Sequence, residues 1–320
     1  MLLSRVGDSL YWIGRYLERA EHTARLIDVR LDLGIGRQPS GAWDFARVFE
    51  GLRVPLPDPA PETPAALMRA LVFDVDNRES VAACITAARE NARQAREEIS
   101  SEMWEHLNSL YLRLRQVASE GAWAVRPHYV SRMAIQGVHL FQGITDSTMG
   151  HGEGWQCLRA GRFLERAGAT AALLKLHVTD ETIPSGGMIG DSDHIEWVGL
   201  LRACSAFEAY CRQYTADVRP DRIAEFLLLN AEFPRSVRFA AARVEGALRT
   251  MAMLAGRGSG GRAERLAGRL HASLDYGQVD EILSEDPQAY LDGIGRQCLQ
   301  IHGAVHQTYV AYPIETALPA

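Results

Sequence analysis

Two segments of this 320-residue chain repeat one charged signature. Residues 14–27 read GRYLERAEHTARLI and residues 161–174 read GRFLERAGATAALL, differing only at Tyr16/Phe163, Glu21/Gly168, His22/Ala169, Arg25/Ala172 and Ile27/Leu174. Each places a Glu three residues after one Arg and directly before another: Arg15, Glu18, Arg19 and Arg162, Glu165, Arg166. Wound as a helix, Arg15, Glu18, Arg19 and His22 form one stripe bordered by Trp12, Tyr16, Thr23 and Leu26. Leu10, Ile13, Leu17, Ala20, Ala24 and Ile27 take the opposite side. Charges with apolar borders suit a partly buried cleft, where each needs a partner.

Three chemistries fit this pattern. Guanidinium forks bind carboxylates and phosphates bidentately, so Arg15, Arg19, Arg162 and Arg166 could clamp an anionic ligand while Glu18 and Glu165 orient them or accept an amine. Glu18 or Glu165 could instead act as a general acid or base, which requires a dry site and a raised pKa. The charges could also simply cross-link two helices. Arg15 and Glu18 have the i,i+3 spacing of an intrahelical pair, and Arg15 and Arg19, one turn apart, repel unless an anion sits between them. Gly14 and Gly161 each cost about 1 kcal/mol inside a helix relative to Ala, which points to a close helix–helix approach. His22 has no counterpart, since Ala169 stands at its place.

Further polar candidates are Glu102, in one turn with Trp104 and Glu105, and Asp146, between Thr145 and Thr148; both are assigned to the cleft. Arg89, Glu90 and Arg93 read as a solvated helical face. Asp191, Asp193 and His194 read as a loop or N-cap cluster. His302 and His306 have the i,i+4 spacing of two metal ligands but lack the glutamate of a HExxH site, and no metal is expected. There is no GxSxG, no dinucleotide fingerprint and no phosphate-loop ending after the glycines at 256–261, so no cofactor is expected. Cys84, Cys157, Cys204, Cys211 and Cys298 form no CxxC and read as small buried hydrophobes.

Helices must position these groups. Apolar periodicity predicts long helices over 3–32, 79–99, 101–120, 127–149, 153–178, 195–216, 236–255 and 286–309. Shorter ones are predicted over 42–52, 64–73, 221–230 and 261–273, and no significant sheet is expected. Residues 53–63, with four prolines, are a loop. Loops are also expected at Ser185–Gly187 and Gly256–Gly261, while Gly34 and Gly36 end the first helix and Asp286-Pro287 starts the last.

Other segments repeat in the same order. Trp43 faces Trp197, Phe73–Val81 faces Leu229–Val237, and Gln142–Thr148 faces His302–Thr308, the offset rising from 147 at the charged motif to 160. This implies an all-α chain of two tandem duplicated helical-bundle halves, 1–150 and 151–320, related by a pseudo-two-fold and packed as one unit. The most similar segments, the two motif helices, belong nearest that axis. With 47% apolar and 23% charged residues, the chain is an ordinary globular one. Forty acids against 34 bases argue against nucleic-acid binding. No apolar run suits a membrane span, and Arg5 and Asp8 interrupt any secretory signal, so a cytoplasmic location is expected.

The chain resembles the alpha-E family, helical proteins named for a Glu-Arg motif. The resemblance rests on Leu3–Val6 with Ser9–Trp12, on Gly14–Ala20 and Gly161–Ala167, and on Ala88–Arg93. Ser101–Glu105 with Asn108, Gly143–Met149, Glu153–Trp155 and Pro234–Val237 complete it. It implies partnership with circularly permuted ATP-grasp ligase-like proteins and transglutaminase-like peptidases, in pathways that form amide bonds on a peptide or small metabolite. It implies no catalytic residues. It also implies Asn more often than His at position 22. The combined expectation is an accessory or substrate-binding protein, leaning away from an enzyme. It would hold an anionic peptide or metabolite in a cleft lined by Arg15, Glu18, Arg19, Glu102, Asp146, Arg162, Glu165 and Arg166. The alternatives are a stand-alone enzyme using Glu18 or Glu165 as acid/base, and a structural scaffold or homodimer.

Overall fold

Helix starts follow from local chemistry. Ser80, Ser100, Ser236 and Asp286 each accept a hydrogen bond from the backbone N–H three residues on, at 3.1, 3.1, 3.0 and 2.8 Å. Pro64, Pro127, Pro220 and Pro287 occupy first-turn positions, where a missing N–H costs nothing. Gly121, at φ 66°, closes the fifth helix in the left-handed region.

The computed structural model describes residues 4–34, 45–121, 123, 126–178, 191–215, 217–256 and 260–310. Among these there is no strand, and the architecture is all-α. The helices are α1 (Ser4–Gly34), α2 (Ala46–Leu52), α3 (Pro64–Met68), α4 (Val81–Gln94), α5 (Ser101–Glu120), α6 (Pro127–Thr148) and α7 (Glu153–Lys175). There follow α8 (Asp191–Ala203), α9 (Phe207–Tyr214), α10 (Pro220–Leu229), α11 (Val237–Leu254), α12 (Arg262–Asp275), α13 (Val279–Ser284) and α14 (Pro287–Val305). Single π-helical turns follow α3 (Arg69–Phe73) and α14 (His306–Val310).

Several predicted bounds shift. The helix expected over 195–216 is two, because Ser205 adopts φ 50° between α8 and α9. The loop expected at Asp191–His194 is the first turn of α8. The helix predicted to 99 stops at Gln94, and α13 has too few residues to show a period. Ser185–Gly187, Gly36, Trp43 and residues 257–259 lie outside the described residues.

Packing runs in two closed series. α1 packs on α4, α4 on α5, α5 on α6 and α6 back on α1. Likewise α7 packs on α11, α11 on α12, α12 on α14 and α14 on α7. The most extensive interface is between α1 and α7. One apolar core crosses it, joining Leu10, Ile13, Leu17, Met103 and Phe141 to Leu164, Leu174, Trp197, Val244 and Ile301. A second core lies wholly in the first half, around Ile27, Phe45, Phe49, Leu67 and Ile85.

The α1–α7 approach is governed by glycine. A Cβ on Gly14 would lie 2.1 Å from the Leu158 carbonyl oxygen, and one on Gly161 would lie 2.0 Å from that of Tyr11. Only hydrogen fits at these two crossing points. Ser80 and Ser236 cap α4 and α11, and each hydroxyl also donates backwards, to the carbonyls of Asp74 and Asn230.

Candidate functional site

Because glycine brings α1 and α7 into backbone contact, their charged stripes must meet, and they interlock. The Glu165 carboxylate accepts from Arg15 Nε at 2.7 Å and from Arg19 Nε at 2.7 Å. The Glu18 carboxylate accepts both arms of Arg166, Nε and Nη2, at 2.6 Å each. The anion between Arg15 and Arg19 is therefore the glutamate of the other motif. The intrahelical Arg15–Glu18 pair is not formed, because each carboxylate has a stronger bidentate or two-arginine site across the interface. Glu18 is 1% exposed and Glu165 6%.

A further layer was not among the expected site residues. Arg235, buried just before α11, bonds Glu21 through Nη2 and lies 3.6 Å from Glu18. Glu21 is fully buried and also takes Arg25 and, at 3.4 Å, His139. Arg19 Nη1 reaches Glu79 at 2.9 Å. Arg166 Nη1 donates to the Pro234 carbonyl at 3.1 Å, and Thr170 to that of Arg235 at 3.1 Å. Arg235 directly precedes the repeated Ser236, as Glu79 precedes Ser80. The similarity of these two segments could have pointed to Arg235, but Glu79 carries the opposite charge.

Burial alone would raise both motif carboxyls. At Glu165, Arg15 and Arg19 outweigh it and hold the group at about 2. At Glu18, Arg166 and Arg235 outweigh it and lower the pKa, and Glu21 is held well below the ordinary range by Arg235, His139 and Arg25. Burial, followed by repulsion from Arg166, lowers Arg162 to about 10. Its Nε is buried without a hydrogen-bond partner, 3.7 Å from Glu18. Arg159, one turn earlier, is lowered by burial and by the Arg243 guanidinium. Asp146 is exposed; it stabilises the charged forms of Arg159 and Arg162 without forming an ion pair. Glu102 is exposed on the first turn of α5, apart from the cluster.

The rings continue the site. Phe163 lies under Arg162 and Arg166, at 5.1 and 5.0 Å, and meets Phe239 at 5.8 Å. Phe239 in turn carries Arg243 at 4.4 Å. At the far end of α1, Trp12 underlies Arg15 at 5.0 Å, and Tyr11 shares a 3.0 Å hydrogen bond with His302 Nδ1. Among the described residues, no group of three His, Cys, Asp or Glu is placed to hold a metal ion. The five cysteines are free, with Cys84, Cys157, Cys204 and Cys298 buried and Cys211 partly so. Burial pushes the Cys157, Cys204 and Cys298 thiols up to about 12.

The Glu-Arg pairs at 18–19 and 165–166 thus bridge the α1–α7 interface, and a family model defined by such a motif covers the chain. An alpha-helical domain with a conserved ER motif, Alpha-E, matches residues 2–310. The chain belongs to the Alpha-E family. Among curated relatives of this Alpha-E chain are uncharacterized proteins of Mycobacterium bovis and Mycobacterium tuberculosis, each 23% identical over 323 residues. These alignments cover 94% of this chain and 35% of the relative, so the chain spans about a third of their length. No solved structure matches the chain.

Three imidazoles, His22 buried and His177 and His302 partly so, set an acid limit on the Alpha-E fold. Burial lowers His22, His177 and His302 from 6.5 to about 4. The unfolded chain then binds more protons than the folded one between pH 6.5 and 4, so stability falls as pH drops through that window. Glu165 adds a second loss below pH 4.5, complete only near its folded value of about 2. A melting-temperature series from pH 7 to pH 4 should fall steadily, and His22→Asn should flatten it; an unchanged slope would refute the assignment of His22.

Proposed function

We propose that this Alpha-E chain is an accessory, anion-binding module rather than a catalyst. In this reading one bundle is duplicated about a pseudo-two-fold axis between α1 and α7, and the Glu-Arg motif fixes how the copies meet. The reciprocal pairing supports it: Arg15 and Arg19 hold Glu165 while Arg166 holds Glu18. So do the matched packing orders and the matched serine caps. The module would act in the cytoplasm beside an ATP-grasp ligase-like protein and a transglutaminase-like one, presenting an anionic peptide or metabolite for amide-bond formation.

Arg162 is the observation that carries ligand binding. Glu18 takes Arg166 in a fork, leaving Arg162 Nε buried without a hydrogen bond, in a longer ion pair at 3.7 Å. Arg159 and Arg243 add positive charge on the same side, and the Phe163–Phe239 surface gives the anion a dry wall. An oxyanion there would satisfy Arg162. The acid/base alternative has weaker support, since a carboxyl at about 2 has no proton to give at neutral pH.

Calorimetry of the full chain with succinate and with inorganic phosphate tests this reading. At least one should bind, and Arg162→Gln should weaken it at least about tenfold, as expected for loss of a charge-assisted hydrogen bond. Absence of binding by both, or binding indifferent to Arg162→Gln, would overturn it. Separately, co-purification with a neighbouring ATP-grasp protein is expected, and its failure would remove the partnership.

A further inference from the structure

The largest cavity among those described lies away from the Glu-Arg interlock. It is a groove of about 570 Å³ between α5 and α6, within the size range of small-molecule sites. Its walls carry His106, Arg113, His128 and Arg132, together with exposed Tyr129 and Leu140. No Asp or Glu lines it.

The floor of the groove is a leucine side chain packed on a glycine. A Cβ on Gly137 would lie 2.5 Å from Leu110 Cδ1, so the missing side chain lets α5 sit against α6 there. His106 spans the same contact, its Nε2 2.7 Å from the Gly137 carbonyl oxygen. A carbonyl only accepts, so Nε2 carries the proton and Nδ1 is left for other use. Behind the wall, Asp28 on α1 anchors His128 at 2.7 Å, and Arg132 Nε lies 3.5 Å from its second oxygen. Asp32 lies 3.6 Å from His128 Nε2. These acids hold the His128 ring and the Arg132 guanidinium in place. Arg113 is exposed and makes no hydrogen bond or ion pair.

We infer that this groove is a second binding site, taking an organic oxyanion with an apolar body: Arg113 and Arg132 receive the carboxylate or phosphate, and Tyr129 and Leu140 cover the apolar part. Arg113, a fork without a neighbouring acid, selects an oxyanion, and Arg132, whose Nε lies 3.5 Å from Asp28, offers its remaining N–H groups. The exposed Tyr129 and Leu140, at 52% and 55%, give it apolar surface to cover. The site is independent of Arg162, which lies on α7.

The test uses the full chain and three probes: N-acetyl-leucine, N-acetyl-leucine amide and phenyl phosphate, followed by calorimetry and by amide chemical shifts of α5 and α6. Binding of N-acetyl-leucine with loss of at least about tenfold for its amide is expected for a carboxylate site, and tighter binding of phenyl phosphate for a phosphate site. Arg113→Gln, a change of an exposed side chain, should weaken the preferred acid about tenfold with the melting temperature unchanged. Leu140→Asp, which places a carboxylate at the rim, should weaken it further, and Arg162→Gln should leave it unaltered. No binding by either acid at 10 mM, equal binding of acid and amide, or indifference to both groove variants would overturn the site. Loss on Arg162→Gln with indifference to Arg113→Gln would assign the binding to the interlock instead.

Discussion

Glu18→Gln should be among the most damaging single substitutions in this protein, lowering stability by about 3–5 kcal/mol. The side chain is 1% exposed, and its carboxylate neutralises Arg166 at 2.6 Å, with Arg235 at 3.6 Å and Arg162 at 3.7 Å. Glutamine keeps the shape and removes the charge. Arg235 would keep Glu21, while Arg166 would be left buried without a countercharge. The cost arises less from the lost attraction than from the stranded cations, because a buried pair is roughly neutral in net stability while a broken one is not. At roughly 2–4 °C per kcal/mol for a chain of somewhat smaller size, the melting temperature should fall by about 10 °C. The double variant Glu18→Gln with Arg166→Met should recover part of that loss. Thermal melts of the two variants check this; a fall under about 2 °C for Glu18→Gln would mean that water already reaches the cluster.

Gly161→Ala is the second large effect, and it acts through the backbone. The new methyl would meet the Tyr11 carbonyl oxygen at 2.0 Å and its carbon at 2.9 Å, neither of which can rotate away. Helices α1 and α7 must separate by about 1 Å, which stretches every ion pair between them. Overpacking alone costs about 1–3 kcal/mol, occasionally more, and the stretched Arg–Glu contacts add to it. Gly14→Ala should behave in the same way against Leu158. Because both substitutions break one interface, the double variant should lose less than the two single losses together. Strict additivity in denaturant melts would show that the two crossings are independent. Gly143→Ala, with open space where the methyl goes, is the control and should be neutral or slightly stabilising.

The contrast between these glycines shows where sequence reasoning stopped. Gly14, Gly143 and Gly161 are all helical glycines, and only the first and third meet a backbone. The repeat singled those two out because both copies keep them at the cost of helix propensity. The aliphatic face of α1 was equally legible: Leu10, Ile13, Leu17, Ala20, Ala24 and Ile27 are all 2% exposed or less. Periodicity and serine, aspartate or proline start signals depend on neighbours within four residues, so they survive in a one-dimensional reading.

Charge partners do not. The sequence alone determined a helical chain, most of its helix spans, the two Glu-Arg helices and the reason for their glycines. It offered Arg15–Glu18 pairing, because only partners one turn apart can be seen along one helix. The tertiary structure decided that the partners stand 150 and 148 residues away, that Arg235 from the α11 start completes the Glu18 site, that Asp146 acts on Arg159 and Arg162 without an ion pair, and that Glu102 is exposed on α5. It also decided which arginine is left over. That choice is geometric: Arg166 takes both oxygens of Glu18 in a fork at 2.6 Å, and Arg162 Nε stands 3.7 Å off, beyond hydrogen-bond distance.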